Sequence, residues 1–391
     1  MNPLKYKGLE LLSILFGNRA FVGPEWVQID LTNMCNNNCI GCWCNSPLLR
    51  EESMSSLAKQ QTLSFDVIKK LIDDLKELGT RRVFLCGGGE PLLHPMIKEI
   101  ISHIKEKGLI CALNTNFTLV NKDIAKWFVD IGLDEITISL WASNPETYAK
   151  THPNKTGKDF LKIEETIKFM QKYKKRKSGK KPVVKLYNVI FNLNYKEIKS
   201  MIRFAERVNA EMTEFAPLDP IPKKTDILLL NEHERKELLR EVKSIIHYKK
   251  LGSFRKTNVL IETFYERIKN ERSTAGVYDE FVVNEIPCYV GWVFARIMAD
   301  GSVIPCLKAH KMPMGNIYKE SFKEIWKSER YNNFRRMAVL YNKKNSFFKR
   351  IGNNPQGCFA SCDNIGDNKN TNNHLIVRLI RGKLFQMNNK K

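Results

Sequence analysis

No apolar run in this 391-residue chain reaches the roughly 18–20 residues that a membrane span needs. The most apolar early stretch, Gly8 to Phe16, is interrupted by Glu10 and has no small-residue cleavage site after it. A short amphipathic helix is expected there, not a secretion signal. Histidine is scarce, with seven residues, and none follows the first cysteines at zinc-finger spacing. Acid is missing from two stretches. Lys168 to Lys185 holds nine Lys or Arg and no Asp or Glu, and the tail after His374 carries Arg378, Arg381, Lys383, Lys390 and Lys391 without an acid. No fixed-period repeat is present, and no low-complexity tract beyond the Lys-rich loop.

What is present reads as a soluble globular chain, 43% hydrophobic and 27% charged. Its length suits one large domain plus a smaller one. The net charge of +22 has two readings: solvated helix faces with a basic loop, or attraction to an anionic partner such as a phosphorylated substrate, RNA or acidic lipid. Ten cysteines without a secretion signal argue for a reducing cytoplasm, and for metal rather than disulfides. Seven fall into two groups, Cys35/Cys39/Cys42 and Cys288/Cys306/Cys358/Cys362. Cys86 and Cys111 lie beside predicted strands and are expected to be small core residues; Cys44 is left over.

From Trp26 to about Pro217, apolar runs alternate with helix-period segments. Strands are predicted over 25–31, 82–85, 109–113, 135–140, 183–190 and 211–215. The helices between them cover about 65–78, 96–107, 123–131, 163–173 and 195–208, with Ser64 as an N-cap and Gly79 as a stop. Six such units imply an α/β fold with a parallel sheet, a partial (β/α)6 TIM-like barrel, whose site lies at the carboxyl ends of the strands. Residues 1–23 are expected as an N-terminal helical segment, 24–220 as the core and 221–286 as a helical bridge. Residues 287–367 are expected as a small α+β iron–sulfur region, and 368–391 as a basic tail.

Cys35, Cys39 and Cys42 read C-x3-C-x2-C on a loop leaving the first strand. Zinc is one reading, with Cys44 as a fourth thiolate, since structural zinc takes four ligands. A [4Fe–4S] cube held by three cysteines is the other, and it leaves one iron open to a substrate or cofactor.

This cysteine motif, followed by Gly87-Gly-Gly-Glu-Pro91 after strand two, resembles the radical SAM superfamily over residues 24–220. Ile40 stands where that family usually has an aromatic residue. The resemblance implies that the open iron binds S-adenosylmethionine. One-electron cleavage then yields a 5′-deoxyadenosyl radical, which abstracts hydrogen from a substrate. Cys35, Cys39 and Cys42 are then the catalytic cluster ligands, and Cys44 is a bystander. Gly88, Gly89, Glu90, Pro91, Asn114, Asn116, Ser139 and Asn194 are the expected cofactor contacts. Gly87 to Gly89 would let the backbone approach the methionine end, and Glu90 would accept from its ammonium.

Around the second group, Phe294 to Cys306 reads as a hairpin turning at Asp300-Gly301, followed by Met314-Gly-Asn-Ile317 and a helix over 321–326. This resembles the SPASM/twitch region of many radical SAM enzymes. Four cysteines suit the shorter twitch form, with Cys288, Cys306, Cys358 and Cys362 holding a second, auxiliary [4Fe–4S] cluster; zinc is the alternative.

Tyr289 and Trp292 are expected to shield that cluster, Trp141 to wall the site or cover the core, and His94 to be structural. The Lys-rich stretch falls on the amino-terminal rim, away from the site. The tail is expected to pack on the core, with peripheral membrane contact as the weaker alternative. The expected activity is oxidation or rearrangement of a small molecule or peptide residue, with a ferredoxin or flavodoxin as electron donor. RNA modification and a non-enzymatic iron–sulfur or zinc protein are the alternatives.

Overall fold

Among the described residues ten short strands build one sheet. The computed structural model describes residues 2–339, 343, 346–352 and 357–374; the expectation for the tail concerns residues 375–391, outside them. The strands are β1 (Trp26–Asp30), β2 (Arg82–Cys86), β3 (Ile110–Thr115), β4 (Glu135–Ser139), β5 (Val183–Ile190) and β6 (Met212–Pro217). Then come β7 (Asn258–Leu260), β8 (Phe294–Ile297), β9 (Ser302–Ile304) and β10 (Gly315–Asn316). Their order is β10-β9-β8-β1-β2-β3-β4-β5-β6-β7. The six expected strands lie side by side in parallel, in chain order, and the sheet does not close on itself, as a partial TIM-like barrel requires.

Helical periodicity translates directly into burial. Helix Phe65–Glu77 buries Ile68, Leu71, Ile72 and Leu75, one face of a 3.6-residue period. Gly79, at a φ of +87°, follows its end. Helix Gly157–Arg176 starts earlier than the pattern of apolar residues alone indicates. Thr156 and Asp159 form a capping box, with the Thr156 N–H donating to Asp159 Oδ2 at 2.8 Å.

Two additions were not read from the sequence. The stretch expected as a helical bridge also contains β7, which pairs parallel with β6. At the other edge β8 pairs parallel with β1, Trp26 opposite Phe294, so the C-terminal hairpin continues the core sheet. The hydrophobic core is accordingly continuous, running from Val27 and Ile29 through Phe294 and Ile297 to Trp326. Tryptophans tie the ends of the chain together: Trp292 Nε1 donates to Arg19 O, Trp326 Nε1 to Val22 O (both 2.8 Å) and Trp26 Nε1 to Asp367 Oδ1 (3.0 Å).

The Lys-rich stretch runs from the second half of helix Gly157–Arg176 through the loop after it into β5, at the amino-terminal edge of the sheet. Five of its cations meet carboxylates: Lys168 with Glu164, Lys174 with Glu211, Lys177 with Asp130, Lys181 with Asp134 and Lys185 with Glu214. This part of the positive charge serves the fold. No helix among the described residues is long and apolar enough to cross a membrane.

Candidate active site

The loop after β1 carries Cys35, Cys39 and Cys42 to the carboxyl edge of the sheet, where they line a cavity of about 370 Å³. The loop is tied down by backbone pairing with the turn after β2: Gly89 N donates to Thr32 O at 3.0 Å and Glu90 N to Met34 O at 2.7 Å. A Cβ on Gly89 would sit 2.0 Å from Met34 O, and one on Gly88 2.4 Å from Asn33 Oδ1. At Gly89 the clash is with the backbone of the cysteine loop itself, so that close approach requires glycine there whether or not a ligand also approaches. We predict that Gly89→Ala displaces this loop. Reconstituted protein should then lose the iron held by Cys35, Cys39 and Cys42 while retaining iron at the second group, as read by iron counts and electron paramagnetic resonance.

Glu90 is 2% exposed. Its carboxylate accepts from Asn116 N and Thr115 Oγ1 (both 2.7 Å) and from Leu92 N (3.1 Å). Burial outweighs these donors and pushes its pKa up to about 7. Burial likewise raises the Cys35 thiol to about 11 and pushes Cys39 up. Cys42 goes the other way, lowered by its hydrogen bond with the Cys44 side chain and by the N–H groups of Cys44 and Asn45. A bound metal would supply the positive charge that buried thiolates need, since a coordinated thiol is deprotonated outright.

Among the other expected contacts, Gly88, Asn114 and Ser139 line the cavity. Asn114 donates to Cys86 Sγ at 3.3 Å, and its buried Oδ1 has no hydrogen-bond partner. Trp141 also faces the cavity, with its buried Nε1 unpartnered. Two orphaned buried polar atoms on residues that line one cavity suit a polar ligand, because burial without a partner costs about 1–3 kcal/mol each. The residues thus fit a three-cysteine cluster together with a polar cofactor. Trp141 also packs with Phe191, Leu218 and Leu228, against which Ile40 lies, so it is both wall and core.

Three expected contacts are placed differently. Asn194 does not line the cavity; its amide donates to Trp141 O and Val189 O (both 2.9 Å) and accepts from Phe191 N. Asn116 lines the cavity, but its side chain holds Asn36 Oδ1 at 2.8 Å and the turn at Thr118. Pro91 does not line the cavity; it opens the short helix Pro91–Leu93. Short polar side chains near strand ends serve backbone caps as readily as ligands, and sequence spacing does not separate the two uses. Cys86, expected in the core, lines the cavity, while Cys111 is in the core. His94 is structural, its Nε2 within 2.8 Å of Leu63 O and its Nδ1 accepting from Met96 N.

The cavity is also lined by Asp219, Arg267, Arg296 and Asp363, charged residues that the sequence did not single out. Arg296 donates to Asp30 Oδ2 through Nε (3.0 Å) and a terminal nitrogen (2.6 Å). Both members are largely enclosed, with side chains 14% and 2% exposed. Removing one partner of such a pair strands the other charge. Asp30→Ala is therefore expected to destabilise the fold by about 3–5 kcal/mol, read as a lower urea midpoint. Arg267 forks onto Asp279 and comes within 3.8 Å of Asp363. Lys308 pairs with Asp219 at 2.7 Å and lies over the Trp43 ring, whose Nε1 donates to Asp219 O at 2.9 Å.

Just beyond stands the second group. Cys288, Cys306, Cys358 and Cys362 line one enclosed space with Lys308, Asp363, Phe334 and Phe348. Asn368 Nδ2 is 3.9 Å from the Cys288 sulfur and 3.8 Å from that of Cys362. The chain therefore brings all four together although Cys358 is distant from the first pair in sequence. Among the described residues no three His, Cys, Asp or Glu side chains are drawn close enough to hold a single metal ion; the two cysteine groups surround spaces. Tyr289 and Trp292, expected as shields, do not line this one; Tyr289 N donates to Asn368 Oδ1 at 2.7 Å and Trp292 anchors Arg19.

Comparison with known proteins agrees with this geometry. Residues 29–205 match the radical SAM superfamily, and residues 288–363 match an iron-sulfur cluster-binding domain, SPASM. The cofactor-modifying protein of the tungsten-containing aldehyde ferredoxin oxidoreductase of Pyrococcus furiosus is 23% identical, over 81% of this chain and 85% of its own. A probable GTP 3′,8-cyclase of Thermococcus kodakarensis is 30% identical, over 54% of this chain and 68% of its own. The fold is shared with Streptococcus suis SuiB bound to S-adenosylmethionine, at a TM-score of 0.64 and 14% identity, over 92% of this chain and 77% of that one. With the three cysteines at the carboxyl edge, a second iron–sulfur region joined to the same sheet and a relative of 30% identity, the chain belongs to the radical SAM superfamily.

Proposed function

We propose that this radical SAM enzyme oxidises or rearranges a small organic molecule or peptide residue held between two iron–sulfur clusters. The observation that carries this reading is the continuity of one cavity from Cys35, Cys39 and Cys42 to Asp363, which also lines the space among the four C-terminal cysteines. In this superfamily the [4Fe–4S] cluster and S-adenosylmethionine together supply reductive sulfonium cleavage and hydrogen-atom abstraction. Cys35, Cys39 and Cys42 would hold that cluster. Glu90, Asn114 and Ser139 would orient the cofactor, and the Trp141 wall would exclude water. Asp219, Arg267 and Asp363 would bind the polar part of the substrate. Cys288, Cys306, Cys358 and Cys362 would hold the auxiliary cluster. A relative described as cofactor-modifying favours a small molecule over a macromolecule, and a ferredoxin or flavodoxin is the proposed electron donor.

The test is anaerobic reconstitution, followed by incubation with S-adenosylmethionine, dithionite and deuterated metabolite or peptide pools. Deuterium should enter 5′-deoxyadenosine, and one pool should show a matching product by mass spectrometry. 5′-Deoxyadenosine without deuterium from any pool would count against the reading. The RNA alternative loses support from the paired lysines of the 168–185 stretch. RNA retention should accordingly show no steep fall with salt, where a binder contacting many phosphates would lose about 10³-fold or more between 50 and 200 mM.

A further inference from the structure

We propose that Lys343 is a charge partner of the auxiliary cluster and raises its reduction potential; the inference rests on reading Cys288, Cys306, Cys358 and Cys362 as that cluster's ligands. Lys343 is 2% exposed, and an opposing charge nearby favours a buried ammonium. Its Nζ donates to Ala338 O at 2.6 Å. The same carbonyl accepts the Cys288 N–H at 3.0 Å, so the ammonium and the backbone of a cluster ligand meet on one oxygen. Nζ also lies 4.8 Å from the centroid of the Phe348 ring, and Phe348 walls the four-cysteine space. Burial pulls the Lys343 pKa below the usual lysine value, and charge on Cys288, Cys358 and Cys362 acts against that.

The other ions nearby are differently engaged. Lys308 is matched by Asp219, and Arg267 by Asp279. Asp363 is within 3.8 Å of Arg267, and Asp367 accepts from Trp26 and Asn364. Donors to sulfur act in the same direction as Lys343: Asn368 Nδ2 toward Cys288 and Cys362, and the N–H groups of Lys308 and Ala309 toward Cys306. A cube with four thiolates is an anion whose charge grows on reduction. A buried cation and N–H donors beside it favour the reduced form, as charge and sulfur hydrogen bonds do for such clusters generally. Lys343 thus fits this cluster to accept an electron.

The test uses full-length protein in which Cys35, Cys39 and Cys42 are all alanine, so that only the auxiliary cluster is observed. Iron is counted, and the midpoint is read by a redox titration followed by electron paramagnetic resonance. Against that parent, Lys343→Met should lower the ratio of reduced to oxidised cluster at fixed poise by about tenfold, a fall of ~59 mV for one electron. Lys343→Arg should restore it. If Lys343→Met holds no iron, Lys343→Gln replaces it, since the amide can still reach the Ala338 carbonyl without charge. Iron lost from both neutral variants but kept by Lys343→Arg supports the charge role. A neutral variant with full iron and an unshifted midpoint overturns the assignment of Lys343 alone. A parent that binds no iron overturns the auxiliary-cluster reading, and the lysine assignment falls with it.

Discussion

Replacing Cys35, Cys39 and Cys42 together with alanine should lower the iron content of reconstituted protein from about eight to about four per chain, one cube of four irons being lost. S-adenosylmethionine cleavage should become undetectable. The expectation follows from position. All three cysteines line the cavity, and the loop that bears them is fastened by Thr32 O and Met34 O to the turn after β2. Single replacements should approach the same loss, because each thiolate would hold a different iron of the cube. Cys44→Ala is the control. Its side chain hydrogen-bonds to Cys42 but is not needed as a ligand, so iron near eight and sustained cleavage are expected. Iron near eight in the triple variant would sink the assignment. Iron near four in the wild type would remove one of the two clusters.

Asp363→Asn should leave both iron counts unchanged and lower kcat/KM for the native substrate by roughly 10²- to 10⁴-fold, the range for a positioned proton-transfer group. Asp363 is singled out because its carboxylate lines both the cavity and the four-cysteine space. Its contact with Arg267, at 3.8 Å, is looser than the forked pairing of Arg267 with Asp279. A carboxylate so placed can accept a proton from the substrate or hold its donor group. Asparagine keeps the shape and removes the charge. A structural role would show as lost iron or a lower unfolding midpoint. A role toward substrate would show as S-adenosylmethionine cleavage continuing without product. Unchanged product formation would dismiss Asp363.

Much of this was legible in residue order. The six parallel strands followed from apolar runs bounded by helix-period segments, and β5 matched its expected bounds, Val183–Ile190. The cysteine loop and the Gly87–Pro91 turn were legible because cluster chemistry demands particular residue types at short spacing. What escaped reading was non-local. β7 is three residues long, too short for an alternating pattern to register. The pairing of β8 with β1 joins residues that local periodicity cannot connect. The ion pairs Asp30–Arg296 and Arg267–Asp279 look like ordinary charged positions until the fold encloses them. Asn116 and Asn194 show the converse: strand-end asparagines suggested ligand contacts, yet their amides serve the Cys-loop residue Asn36, the Thr118 turn and the backbone at Trp141.

The parallel pairing of Trp26–Ile29 with Phe294–Ile297 bears on how the chain is made. During synthesis β1 emerges early, but its outer neighbour arrives more than two hundred and fifty residues later. Until then that edge presents unpaired N–H and C=O groups, a template for pairing with other chains. Contacts of such sequence separation form slowly. A fragment ending after β6 would keep the cysteine loop, the Gly87–Pro91 turn and the six central strands, yet should aggregate where the full chain does not. The C-terminal cysteine region therefore also covers an edge of the catalytic sheet that would otherwise stay unpaired.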